Sequence, residues 1–291
     1  MDFKKIIKES EYKDIDTLKN EVSQIMLDVN YTADVFSTFT FNGLYRARVH
    51  NNLIGKSENG RLYEFKNENE FWNVPEKYAK QGRCNSNGKS LFYCASDFET
   101  AILEVKPKVG EFVTISNFKN LHKYEKPRFR IQPIGKNYLT KIPALELVFE
   151  NYKINQDQIE IEEFLDELFH QNINSKKDEF KYKLSIAIAE IFLTDSSNND
   201  KDIIETHGLI YSSIIRDKKS HCFVLKPWIV RTYFFIDYIQ TWEVLEKNPI
   251  CMKIKLVRHG RPSFEKIYPA DLFDIYWENP PKEHIEILKL Q

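Results

Sequence analysis

Cysteine is scarce, with four residues, Cys84, Cys94, Cys222 and Cys251, in a chain of 291. No two are spaced Cys-x-x-Cys, and no histidine stands at an offset that would complete a zinc cluster. A disulfide framework and a metal site are therefore not expected, and the apolar neighbours of these residues indicate reduced, mostly buried thiols. No run approaches the ~18 apolar residues of a membrane span. The most apolar stretch, Phe223 to Ile239, is broken by Lys226, Arg231 and Asp237. The opening MDFKKIIKES lacks the apolar core of a secretory leader, so a cytoplasmic location is expected, with no membrane partner. Neither sign of charge is in excess. The 42 Lys+Arg and 43 Asp+Glu leave a formal net charge of −1, which gives no reason to expect nucleic acid as a partner. Internal repeats and low-complexity tracts are absent as well.

What is there is ordinary globular composition: 42% hydrophobic, 14% aromatic and 29% charged residues. The first forty residues read as helical, with Leu18, Val22, Ile25 and Met26 on one helix face. Strand-like pieces follow at Gly43–Val49, Ser90–Ala95 and Phe112–Ile115. Ser96-x-x-Glu99 has the form of a capping box. It predicts a short helix whose apolar face is Phe98, Ala101, Ile102 and Val105, stopped by Pro107. Ile161–Phe169 reads as an amphipathic helix and Asn172–Asp178 as a polar loop. Phe180, Leu184, Ala187, Ile188 and Ile191 mark another helix, ended by the polar run TDSSNNDKD. Leu209–Ile215 and Cys222–Leu225 look like strands around the turn RDKKS. The last sixty residues combine β-rich stretches, Tyr233–Ile239 and Met252–Val257, with a short helical tail. Strands and helices are interspersed without regular alternation, which favours an α+β fold.

Two short motifs are rejected. Gly82 to Ser90 resembles a phosphate-binding P-loop, but five residues separate Gly82 from Gly88 where that loop has four. A strand-like segment also follows it, where a P-loop opens a helix. Arg258-His259-Gly260 resembles the Arg-His-Gly motif of histidine phosphatases. Too little chain follows it for the rest of such a domain, so a strand end and a turn are expected there.

The block from Gly82 to Glu104 carries the chemistry. An arginine, Arg83, sits in a Gly/Asn-rich loop, Tyr93 lies in an apolar strand, and Glu104 lies near the end of a capped helix. A carboxylate in the last turn opposes the helix dipole, so Glu104 is out of place on local grounds. Tyr45-Arg46-Ala47-Arg48 precedes the block, followed by Phe71-Trp72-Asn73-Val74-Pro75. Within it stand Gly82-Arg83-Cys84-Asn85, Gly88, Leu91-Phe92-Tyr93, Ala95-Ser96-Asp97, Thr100-Ala101-Ile102 and Glu104-Val105. Gly208-Leu209-Ile210-Tyr211-Ser212-Ser213 comes later, with Cys222 to Pro227 as a return strand. Taken in this order, these segments resemble the RES domain family, over roughly Phe41 to Pro227. Cys84 departs from the family pattern, where Trp or Ala is common. Ser212 and Ser213 compete for the serine position, and Ser213 fits the spacing better. Arg46 is preferred to Arg48 by its place after Tyr45.

The resemblance implies a fold like that of ADP-ribosyltransferase toxins such as diphtheria toxin, with a mixed β-sheet core and surrounding helices. The family domain is accordingly expected over 41–230; outside the resemblance stand an N-terminal helical segment over 1–40 and a C-terminal extension over 231–291, expected to pack on the core. The resemblance also implies NAD⁺ as substrate, with no separate cofactor, and a reaction at the nicotinamide–ribose bond by phosphorolysis or hydrolysis. The missing Gly-x-Gly-x-x-Gly agrees with NAD⁺ being consumed, not used as a hydride carrier. Glycosidic cleavage ordinarily uses two carboxylates, one of them an acid for the leaving group. Nicotinamide is cationic in NAD⁺ and leaves neutral, so one ionised carboxylate suffices. Glu104 is the candidate for that role, and Arg46 and Arg83 for holding the pyrophosphate. Tyr93 is the candidate for stacking on the nicotinamide. Asn85 and Ser213 are the candidates for polar contacts to substrate. Expected partners are NAD⁺, inorganic phosphate as acceptor and a cognate antitoxin protein; oligomerisation stays open. Two alternatives remain: transfer of ADP-ribose to a macromolecule, and a non-catalytic module that binds NAD⁺.

Overall fold

The computed structural model describes residues 3–29, 31, 36–50, 65, 68–121, 127–149, 158–171, 180–194, 205–215, 220–262 and 275–290. The chain runs through α1 (Phe3–Glu9), α2 (Ile15–Asp28), β1 (Phe36–Phe39), β2 (Leu44–His50), β3 (Phe92–Ala95), α3 (Phe98–Glu104), β4 (Phe112–Asn120) and β5 (Phe129–Pro133). It continues through α4 (Lys136–Leu139), α5 (Glu146–Phe149), α6 (Ile159–His170), α7 (Phe180–Leu193), β6 (Gly208–Ser212), β7 (His221–Leu225) and α8 (Pro227–Tyr233). β8 (Phe234–Lys247), β9 (Cys251–Pro262), β10 (Ile275–Glu278) and β11 (Ile285–Lys289) complete it. The expected polar loop at Asn172–Asp178 and most of the TDSSNNDKD and RDKKS segments lie outside the described residues.

The protein is a mixed α+β fold around one mixed sheet, in the order β1-β5-β6-β7-β3-β2-β4-β8-β9-β10, with β11 also paired to β9. The β5–β6 pair is parallel, and the other described pairs are antiparallel. Alternate residues of each strand feed two hydrophobic clusters. Cys222 and Val224 face one with α2, α6 and α7, while Phe223 and Leu225 face the other with α4, α5 and α8. This is the period-2 alternation of a sheet covered on both sides. Helix α7 is buried at every position from Leu184 to Ala189, so it is enclosed on all sides and not the one-faced helix its spacing suggests.

Four expectations are corrected. The stretch read as helical to residue 40 ends in strand β1. The helix carrying Glu104 is capped by Asp97, whose side chain accepts from the Thr100 amide, and not by Ser96. The Ser96 amide still bonds to the His221 carbonyl in the strand ladder, so the helix cannot begin there. The expected helical tail is strand β11, held in register by β9. The Arg258-His259-Gly260 segment lies inside β9, which runs on to Pro262 because β10 pairs with it. Among the described residues no helix is long and apolar enough to cross a membrane. All four cysteines are free thiols, and Cys84, Cys94 and Cys222 are buried.

Candidate active site

A separation of strands opens the site. Strand β2 pairs along its whole length with β4, from Leu44↔Phe118 to His50↔Phe112, but it meets β3 in register only at Tyr45↔Ala95. The two strands then diverge, and the Tyr93 carbonyl is left without a ladder partner from β2. Arg46 fills that place, its Nη1 donating to the Tyr93 carbonyl at 2.9 Å. Its guanidinium carbon lies 5.3 Å from the Phe92 ring centre. Arg46 is buried, and burial lowers its pKa to about 10, with Arg48 adding to the effect; it remains cationic at neutral pH. Its Nε is buried with no hydrogen-bond partner. A buried cation with an unsatisfied donor is costly unless an anion arrives. Arg48 is turned elsewhere, donating to the Glu70 carbonyl and lying over the Phe65 ring.

A cleft of about 240 Å³ lies along this separation, lined by Tyr45, Arg46, Tyr93, Glu104, Tyr211 and Cys222 among others. Glu104 ends α3 and is partly exposed to the cleft. The Ser213 hydroxyl donates to its Oε1 at 2.5 Å, across 109 positions of sequence. That bond and the nearby Lys106 charge offset the unfavourable end of the helix dipole. Ser213 is wholly buried at the close of the β6–β7 hairpin, where its amide bonds to the Ser220 carbonyl. Beside Glu104, burial and then the carboxylate charge hold the Cys222 thiol well above its ordinary pKa, so it stays protonated. Burial does the same to the Tyr211 phenol.

The Gly82-Arg83-Cys84-Asn85 segment forms the wall behind Tyr93. The Tyr93 hydroxyl donates to Asn85 Oδ1 at 2.7 Å and accepts from the Cys84 amide at 2.9 Å. A Cβ at position 82 would lie 2.7 Å from Asn85 Oδ1 and 2.9 Å from the Tyr93 hydroxyl, so glycine is required for this approach. The Asn85 amide nitrogen donates to the carbonyls of Lys80, Ser86 and Lys89, which closes the loop on itself. Arg83 donates to the carbonyls of Leu168 and Gln171, at the C-terminal end of α6. Its guanidinium carbon is 6.0 Å from the Tyr182 ring centre.

Of the residues expected from the sequence, the structure gathers Arg46, Tyr93 and Glu104 around one cleft, with Ser213 buried behind Glu104 and bonded to it, not lining the cleft. Arg83 and Asn85 stand behind Tyr93 with their polar groups engaged by the protein itself. Tyr45, Tyr211 and Cys222 were not singled out as site residues from the sequence, although all three stand inside the segments that carry the resemblance. A second cleft of about 290 Å³, with Lys80 and Lys89 in its lining, shares Arg46 and Tyr93 with the first. Among the described residues no group of three or more His, Cys, Asp or Glu could hold a metal ion.

A family model described as RES domain matches residues 60–232, which include the Gly82–Glu104 block and the β6–β7 hairpin. Neither the curated proteins nor the solved structures compared with this chain contain a match.

Proposed function

This chain belongs to the RES domain family, and from that premise we propose that it degrades NAD⁺ by cleaving the nicotinamide–ribose bond. Glu104 in a cleft beside a buried guanidinium, held by the Ser213 hydroxyl, is the observation that carries the reading. The family's likeness to ADP-ribosyltransferase toxins suggests a role as a toxin or defence effector that depletes cellular NAD⁺. An antitoxin protein would be its partner.

The chemistry follows from the charges. As the C–N glycosidic bond breaks, its electron pair returns to the nicotinamide ring, which leaves neutral and needs no proton. Positive charge develops on the ribose, and in this reading the Glu104 carboxylate stabilises that charge. Water or phosphate then donates an oxygen lone pair to the anomeric carbon. Ser213 fixes the orientation of the carboxylate, so less reorganisation is needed at the moment of reaction. Arg46 supplies a buried cation with a free donor, suited to a pyrophosphate oxygen. In this reading the other half of the dinucleotide occupies the adjoining cleft, which has Lys80 and Lys89 in its lining.

Purified protein incubated with NAD⁺ should release nicotinamide, measured by chromatography with and without phosphate. Dependence on phosphate would mark phosphorolysis, and ADP-ribose in its absence would mark hydrolysis. Glu104→Gln should slow turnover at least ~100-fold with an unchanged circular dichroism spectrum. Turnover by Glu104→Gln at the wild-type rate would remove Glu104 from the mechanism.

A further inference from the structure

The sheet ends at an open backbone edge. Strand β9 pairs with β8 on one side and with β10 and β11 on the other, and among the described residues β11 pairs with β9 alone. The Leu256 amide donates to the His284 carbonyl at 2.9 Å, and the Leu290 amide donates to the Ile250 carbonyl at 2.8 Å. In an antiparallel ladder such bonds fall on alternate residues. Glu286 and Leu288 therefore turn their backbone groups to β9, and Ile285, Ile287 and Lys289 direct theirs outward.

The side chains of those three residues share one face of the strand. Ile285 is 40% exposed and Ile287 63%, whereas Leu288, on the other face, belongs to the core. Natural sheets blunt such edges with proline, bulges or free charges. Strand β11 has no proline, and its five pairs with β9 run without a bulge. The lysines beside the two isoleucines are already paired. Lys255, opposite Ile285, meets Glu283 at 2.9 Å, and Lys253, opposite Ile287, meets Glu246 at 3.3 Å.

The strand is complementary to a second copy of itself. Two copies run antiparallel about a twofold axis at Ile287 pair all five residues. Ile287 meets its counterpart, Ile285 lies opposite Lys289, and Glu286 lies opposite Leu288. No like charges face each other, and the carbon stem of Lys289 covers Ile285. Moving the axis to Glu286 would set two carboxylates against each other, which selects the first register. We propose that β11 is a homodimer edge, joining the sheets of two copies of this chain through antiparallel β11–β11 pairing centred on Ile287. Such an interface is isologous and closes at two. It does not involve the Glu104 cleft and does not depend on the proposed reaction.

Sedimentation velocity of the full chain from about 1 to about 300 µM tests this, a span suited to the weak association expected of a short contact. Monomer should dominate at the low end and dimer at the high end, with no larger species. Ile287→Lys sets two ammonium groups against each other on the axis and should stay monomeric throughout. Ile287→Val should dimerise as the wild type does. Residue 287 is exposed, so thermal melting of both variants at low concentration should match the wild type. Amide exchange followed by nuclear magnetic resonance should slow with concentration at Ile285, Ile287 and Lys289, and be slow at Glu286 and Leu288 throughout. Four results would overturn the proposal: wild-type monomer at every concentration, undiminished dimer in Ile287→Lys, species that grow beyond the dimer, or exchange at Ile287 independent of concentration. The first would leave a strand from a different protein as the occupant of this edge.

Discussion

Without the Ser213 hydroxyl, the Glu104 carboxylate loses the donor that fixes its rotamer at the end of α3. A hydrogen bond to a charged group contributes roughly 1.5–3 kcal/mol. If that orientation is needed only when charge develops on the sugar, Ser213→Ala should lower kcat roughly 10- to 100-fold with little change in KM. Ser212→Ala should turn over near the wild-type rate, since the bond to Glu104 comes from Ser213. Equal losses in the two variants would mean that the hairpin, and not the Glu104 contact, is what matters. Sequence spacing favoured Ser213 but left both serines open, because strand neighbours differ in which face they serve, and that is set by the pairing partner. Arg46 and Arg48, two positions apart, share a face of β2 and are separated by what lies beside each: the gap between β2 and β3 receives Arg46, whereas Arg48 meets the Glu70 carbonyl.

Helix α3 is seven residues long, too short to be stable by itself. Its first turn is held by Asp97, which accepts from the Thr100 amide at 2.8 Å and the Thr100 hydroxyl at 2.8 Å. Asp97→Ala should therefore cost about 1 kcal/mol in urea unfolding, and Asp97→Asn, which keeps the cap, well under that. An equal loss in both would show that charge, not capping, is the contribution. The capping signal was legible in the sequence, but one residue early. Serine and aspartate are both good caps, and the bond from the Ser96 amide to the His221 carbonyl of β7 holds Ser96 just past the end of β3, ahead of the helix. Helix α6 shows the reverse case. Its Glu162 pairs with Lys136 at 2.9 Å with both side chains almost wholly buried, and accepts from the Tyr31 hydroxyl at 3.0 Å. That knot ties α6, α4 and the segment after α2 together. No local pattern announces it, because its members lie more than twenty positions apart.

For the whole molecule, two buried groups shape the dependence of stability on pH. Burial raises the Asp166 pKa from the usual 3.8 to about 7, with Asn137 opposing and Glu162 adding to it. Between those values the folded state keeps a proton that the unfolded chain releases. Stability from this group therefore falls as pH rises from about 4 to about 7, by up to ~1.4 kcal/mol per unit. His221 acts in the opposite sense: its folded pKa near 4 means stability is lost as pH falls below 6.5. Asp166→Asn should leave only the second trend, so its Tm advantage over the wild type should be larger at pH 8 than at pH 5. A difference independent of pH would place the Asp166 proton elsewhere. The C-terminal sixty residues are the other global feature. β8 pairs with β4 from Phe112↔Glu243 to Asn120↔Phe234, and Trp242, Val244, Met252 and Ile254 are core residues. Truncation after Tyr233 should strip that edge and abolish cooperative unfolding, read by near-ultraviolet circular dichroism and size exclusion. A compact, cooperatively folded truncated chain would show that the extension is dispensable to the core.

The sequence by itself determined the α+β class, most of the helices, the segments that mark the family and the identity of Glu104 as the carboxylate out of place. Those signals are local, written in periodicity and in motif order along the chain. Tertiary structure alone decided that β2 and β3 part company around Arg46, that Arg83 turns to the end of α6, that Ser213 reaches Glu104, and that the tail becomes a strand. Each depends on which distant segment lies alongside, and a side chain's partner is fixed only when packing has chosen its neighbours.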